Sequence, residues 1–422
     1  MKYLFALILI GALNCFGVPA VSAQGTEKMV PINNGQLHTL EAGDGPYTVI
    51  FESGFMSDLS VWHKVAPAIT KHAKIVLYSR AGIGKSPARP QALNLSQHTE
   101  ELKQLVEAMQ IKTPIILVGH SYGGWVVREF AAKYPKQIAG FVLVDPANET
   151  LEVELKKMNP EKVIQDQKRL ENMAPPAAKA DLALVQKIFD EAKLPTSSAI
   201  PDMPMAILTS TQVTRNNPFY QETAPALAVK RELHARLFAQ YSNGTHIVTN
   251  QSSHHIQFDE PHLVIDTINL VITNIDKEAQ KRERQIAKQK ARQTMMAELE
   301  KADALLNANK AQDARSTLNE ALKVSQFSEA EINQLGFDML EKAKKPLLAE
   351  IVLAYNVARF PQSDNAYDSH GEALLALNKF EEAKMQFQHA LRLGKANPQR
   401  SPKALLGYEN NLKKAEQALS AK

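Results

Sequence analysis

Short, almost uninterrupted apolar runs alternate with amphipathic stretches over the first two thirds of the chain. Tyr47-Thr48-Val49-Ile50-Phe51 is rich in β-branched and aromatic residues and ends at Glu52-Ser53-Gly54. Residues 74–78 form a second such run, stopped by Ala81-Gly82-Ile83-Gly84. Residues 114–118, 138–144 and 205–209 follow, and Ile247-Val248 is a last, short one. Between them, Leu102, Leu105, Val106 and Met109 fall on one face of a helix expected over 95–109, and residues 126–133 continue a second. Strands that are apolar on both faces, separated by helices, imply a largely parallel sheet covered on both sides. The expected class is α/β, over residues 24–275.

Two later regions break that rhythm. Between the runs ending at Val144 and starting at Met205 lie helical segments punctuated by Pro160, Pro175-Pro176, Pro195, Pro201 and Pro204. An insertion of that length in a compact sheet is expected to be a lid, placed at about 149–203. Residues 276–295 form a basic stretch carrying Lys277, Lys281, Arg282, Arg284, Lys288, Lys290 and Arg292. A solvated connecting helix is the simpler reading; contact with a membrane surface or partner is the other. From 296 to 422 the chain repeats itself. Ala314, Leu318 and Ala321 recur as Ala349, Leu353 and Asn356, then as Ala383, Phe387 and Ala390, at offsets of 35 and 34 residues. With Gly336 and Gly371 ahead of the later units and Pro361 and Pro398 closing them, this all-helical region resembles the tetratricopeptide repeat. A plain helical bundle is the alternative.

The charge balance, 49 basic against 45 acidic side chains, is too even for a general nucleic-acid binder. Residues 1–23 read as an export signal. Lys2 precedes an apolar core over 4–13, and Val21-Ser22-Ala23 supplies a small-residue cleavage site. The apolar run is short for a membrane span and Pro19 follows it, although an uncleaved anchor is the alternative. Cleavage removes Cys15, the single cysteine, so neither disulfides nor thiol chemistry are expected. The expected location is a bacterial periplasm or exterior, with no stable membrane span in the mature chain.

Candidate chemistry starts at Gly119-His120-Ser121-Tyr122-Gly123, directly after an apolar strand and at the start of a helix. In that context G-x-S-x-G describes a sharp strand-to-helix turn that lifts a serine hydroxyl above the sheet, beside a helix N-terminus. Here residues 26–274 resemble the α/β-hydrolase superfamily. The resemblance implies a serine nucleophile at Ser121 and a base in the loop Ser252-Ser253-His254-His255-Ile256, aligned so that it falls on His254, with His255 as the neighbour. It places the acid after the strand over 205–209, where Ser210-Thr211-Gln212 holds no carboxylate, or one strand earlier, at Asp145. Glu149 and Glu222 are fallbacks. Gly54-Phe55 resembles the oxyanion loop, so the backbone N–H groups of Phe55 and Tyr122 are the expected donors. Ser53 stands where the family usually has histidine. Residues 78–86 match a structural turn of the superfamily, and Ser79 in place of a glycine excludes a phosphate loop.

These residues point to hydrolysis of a small-molecule carboxylic ester through an acyl-enzyme, with neither metal nor cofactor. A serine at the elbow excludes the carboxylate nucleophile of dehalogenases and epoxide hydrolases. An aminopeptidase using Glu149, Glu152 and Glu154 in the lid, or a perhydrolase, remains open. So does a non-catalytic scaffold that binds a protein partner, or itself, through the repeats.

Overall fold

The computed structural model describes residues 25–111, 114–196, 198–214 and 217–421; the signal assigned to 1–23 lies outside them. Along the chain come β1 (Thr26–Ile32), β2 (Gly35–Ala42), β3 (Thr48–Glu52), α1 (Ala66–Ile69), β4 (Lys74–Tyr78), α2 (Leu95–Ala108), β5 (Ile115–His120), α3 (Tyr122–Lys133) and β6 (Ile138–Val144). The inserted segment forms α4 (Leu151–Met158), α5 (Pro160–Met173) and α6 (Lys179–Glu191). Then follow β7 (Met205–Ser210), α7 (Ala224–Phe238), β8 (Gly244–Thr249), the one-turn α8 (Ile256–Asp259) and the long α9 (Pro261–Asn307). The strands make one sheet in the order β1-β2-β4-β3-β5-β6-β7-β8. The β1/β2 and β2/β4 pairs are antiparallel and the remaining five are parallel.

Alternation along the central strands shows why they read as continuous apolar runs. Ile115 and Leu117 face the core that contains Trp125 and Phe130 of α3, while Ile116 and Val118 face the one that contains Ile268 and Val271 of α9. Both faces are therefore dry, as parallel strands between helical layers require. The β1–β2 hairpin is an addition to the sequence reading. Its strands are mixed polar and half-exposed, so no apolar run marked them.

The chain divides into two compact units, with the boundary between Ala279 and Gln280, inside α9. The second unit is all helical: the end of α9, α10 (Ala311–Ser325), α11 (Glu329–Phe337), α12 (Pro346–Arg359), α13 (Asp364–Ala376), α14 (Phe380–Ala396) and α15 (Pro402–Ser420). The recurring positions Ala314, Leu318, Ala349, Leu353, Ala383 and Phe387 are fully buried. Two glycines explain the close helix packing. A Cβ on Gly336 would lie 2.4 Å from Leu353 Cγ, and one on Gly371 would lie 2.5 Å from Phe387 Cε1. Among the described residues, no helix is long and apolar enough to cross a membrane.

Candidate active site

Ser121 sits between β5 and α3 with φ 52° and ψ −120°, a conformation that L-residues adopt only when their surroundings impose it. The surroundings here are glycines and backbone hydrogen bonds. A Cβ on Gly119 would lie 2.6 Å from Gly123 O, and one on Gly123 would lie 2.5 Å from Glu52 O. Ser121 N–H donates to Val144 O at 3.2 Å, and Ser121 O accepts from the Ala147 amide at 3.0 Å. The turn is thus braced against β3 and against the segment that follows β6.

That segment begins with Asp145, which is fully buried and also has positive φ, 41°. Its Oδ2 accepts from His254 Nδ1 at 2.6 Å and from Lys230 Nζ at 2.8 Å, and its Oδ1 accepts from the Ser210 amide at 2.9 Å. Burial by itself would push this carboxyl up. The Lys230 cation and the hydrogen bond from His254 outweigh it and hold the group well below the usual carboxylate range. With Nδ1–H committed to Asp145, His254 presents Nε2 as a proton acceptor. Asp145 and His254 are therefore brought together; the fallback acids have other surroundings. Glu149 makes a two-pronged ion pair with Arg128 at 2.7 and 2.9 Å, and Glu222 ends a short turn before α7.

The base loop is pinned on both sides. Ser253 donates through N–H and Oγ to Asp259 at 2.8 and 2.6 Å, and Ser210 Oγ donates to Ser252 O at 2.6 Å. His120, next to the serine in sequence, donates from Nε2 to His254 O at 2.9 Å. Burial, then the neighbouring imidazoles, push its own ring well below the usual histidine value, so it stays neutral. His255 packs its ring 5.2 Å from that of His120 and is pushed down to about 4 by burial and by His254. Among the described residues, its Nδ1 has no hydrogen-bond partner.

Sequence reasoning missed three supports. His120 occupied a variable position in the serine motif. Lys230 shares α7 with Arg231 and Arg236, and its burial sets it apart. His234 donates from Nε2 to Pro146 O at 2.9 Å and meets Thr209 Oγ1 at 2.8 Å, fixing the turn after Asp145 from below.

Gly54 lies directly over the elbow, since a Cβ there would sit 3.4 Å from Ser121 Cβ and 2.9 Å from His120 Nδ1. Ser53 Oγ donates to Asp58 O at 3.0 Å and accepts from Trp62 Nε1 at 3.2 Å, so a serine supports this loop from within. Phe55 and Tyr122 pack ring to ring at 6.0 Å and line a cavity of about 320 Å³ with Met56, Arg80, His98 and Asp181. Ile188 joins the main core, Met173 and Leu182 pack within the lid, and Met158 is exposed. Among the described residues, no group of three or more His, Cys, Asp or Glu side chains is arranged to hold a metal ion.

Residues 47–219 match the family model described as the alpha/beta hydrolase fold. The Bacillus subtilis protein YqjL is 28% identical over 245 residues, covering 56% of this chain and 88% of that protein. Lipase LipV of Mycobacterium tuberculosis is 34% identical over 113 residues, covering 26% of this chain and 42% of its own length. The crystal structure of carboxylesterase CesB from Bacillus subtilis is 14% identical with a TM-score of 0.41, covering 59% of this chain and 91% of that one.

Proposed function

We propose that this chain, an α/β hydrolase by fold, is an exported serine hydrolase that cleaves carboxylic esters of short acyl chain length through an acyl-enzyme at Ser121. The observation that carries the reading is the buried Asp145–His254 hydrogen bond, held by the loop that His120 ties to the strained serine.

The steps follow from those groups. His254 Nε2 takes the Ser121 proton as Oγ attacks the ester carbonyl, and Asp145 holds the imidazolium that forms. The backbone N–H groups of Phe55 and Tyr122 receive the negative charge on the carbonyl oxygen. Collapse of the tetrahedral intermediate expels the alkoxide, which takes the proton from His254. Water then repeats the sequence on the acyl-enzyme and frees the acid. The compact cavity beside Phe55 and Tyr122, lined by His98, Arg80 and Asp181, supports a short acyl group over a long alkyl chain. The aminopeptidase alternative loses support, because Glu149, Glu152 and Glu154 are each engaged by lid or helix partners.

In the second unit the paired contacts Gly336–Leu353 and Gly371–Phe387 support repeats of tetratricopeptide type, with a surface for protein contacts or self-association. Export through cleavage after Ala23 completes the proposal, and the N-terminal residue of the mature protein tests it. The catalytic reading is tested with p-nitrophenyl esters from acetyl to palmitoyl. Turnover should favour the short chains and vanish in Ser121→Ala. A chain that turns over no ester and leaves Ser121 unlabelled by a fluorophosphonate is a scaffold.

A further inference from the structure

Arg80 is almost completely buried, and so is its partner Glu52 at the end of β3. Glu52 accepts from Arg80 Nη1 and from the Tyr78 hydroxyl. An arginine that only neutralised this carboxylate would need no more. Yet Nη1 also donates to Ser53 O at 2.6 Å and Nη2 donates to Gly54 O. The guanidinium fork thus spans two successive carbonyls of the loop above Ser121. Its carbon also lies 5.1 Å from the centre of the Tyr122 ring, the residue that carries the second proposed donor.

Gly54 C=O and Phe55 N–H belong to one peptide unit. In a planar trans peptide these two bonds point in opposite directions, so a donor that fixes the carbonyl also fixes where the N–H points. A charged donor on the oxygen further draws electron density from the amide and strengthens that N–H as a donor. We infer that Arg80 is a positioning residue of the oxyanion site, holding and polarising the Gly54–Phe55 peptide so that the Phe55 N–H meets developing charge. This rests on the reading of Ser121 as nucleophile and Phe55 as donor. It also accounts for the loop's stability with Ser53 where the family usually has histidine.

The test compares Arg80→Gln, Glu52→Gln and the double variant in the full chain, with kcat expressed per site labelled by a fluorophosphonate. Loss of one oxyanion donor costs on the order of 10²–10³ in kcat. A donor left in place but freed to rotate should cost about 10–100-fold in kcat, with KM within about threefold. The affinity for a trifluoromethyl ketone, whose hemiketal carries the oxyanion, should weaken in parallel. Glu52→Gln leaves both carbonyl bonds possible and should lose stability while keeping kcat within about threefold. Should Arg80→Gln alone fail to fold, the double variant removes the unpaired buried charge and carries the same predicted loss. Equal kcat per labelled site in the double variant and Glu52→Gln overturns the inference and leaves the serine mechanism standing. An unlabelled, inactive parent overturns both.

Discussion

The adjacent ends of β6 and β7 divide their tasks differently. The family resemblance places the acid after the strand that is β7 here or one strand earlier, and the end of β7 carries Ser210. The carboxylate follows β6 instead, where Asp145 N–H donates to Leu208 O at 2.8 Å and so stays in register with its neighbour. What β7 contributes is support: the Ser210 amide to Asp145 Oδ1, and the Ser210 hydroxyl to the base loop. The two ends teach that a carboxylate carried by one strand can be oriented by the end of its neighbour. They also explain the buried Lys230, which balances a carboxylate that burial alone would neutralise.

Four substitutions around these strand ends should separate their contributions. Asp145→Asn should have the largest effect, lowering kcat by about 10³–10⁴-fold, because the amide neither fixes the His254 tautomer nor stabilises the imidazolium; steady-state ester kinetics on the folded variant measure it. Lys230→Met leaves a buried carboxylate without its cation and should cost about 3–5 kcal/mol of stability by denaturant unfolding. The same pair sets the acid limit. Because the folded Asp145 carboxyl is depressed, its contribution is complete above the ordinary value of about 3.9 and is lost as the pH falls below it. Thermal midpoints should therefore drop below about pH 4, and the drop should be smaller in Lys230→Met, where Asp145 has lost the cation that depresses it most. Glu149→Gln breaks the pair with Arg128 and should cost about 1–3 kcal/mol while leaving kcat within about threefold. Ser210→Ala keeps the supporting amide, loses one hydroxyl bond, and should cost about 1 kcal/mol.

Much of this arrangement was legible because parallel strands between helices must be apolar on both faces. The runs over 74–78 and 138–144 correspond residue for residue to β4 and β6. Ser121 was legible for a related reason, as glycines at 119 and 123 leave no room for side chains against the turn. Edge elements left weaker traces. β1, β2 and most of β8 are half-exposed, so their polar and apolar residues mix and only Ile247-Val248 stood out. Asp145 could be named because the family resemblance points to the ends of two strands, but Lys230 and Arg80 could not. A buried cation is spelled with the same letter as a solvated one, and only the folded contacts tell them apart.

The central claim, that the carboxylate after β6 serves His254, is tested most directly by the rate at which a fluorophosphonate labels Ser121 in Asp145→Asn, Glu149→Gln and Glu222→Gln. Labelling should slow at least about 100-fold in Asp145→Asn alone, with the other two at the parent rate. Parent-rate labelling in a folded Asp145→Asn, or a collapse confined to either glutamate variant, would contradict it.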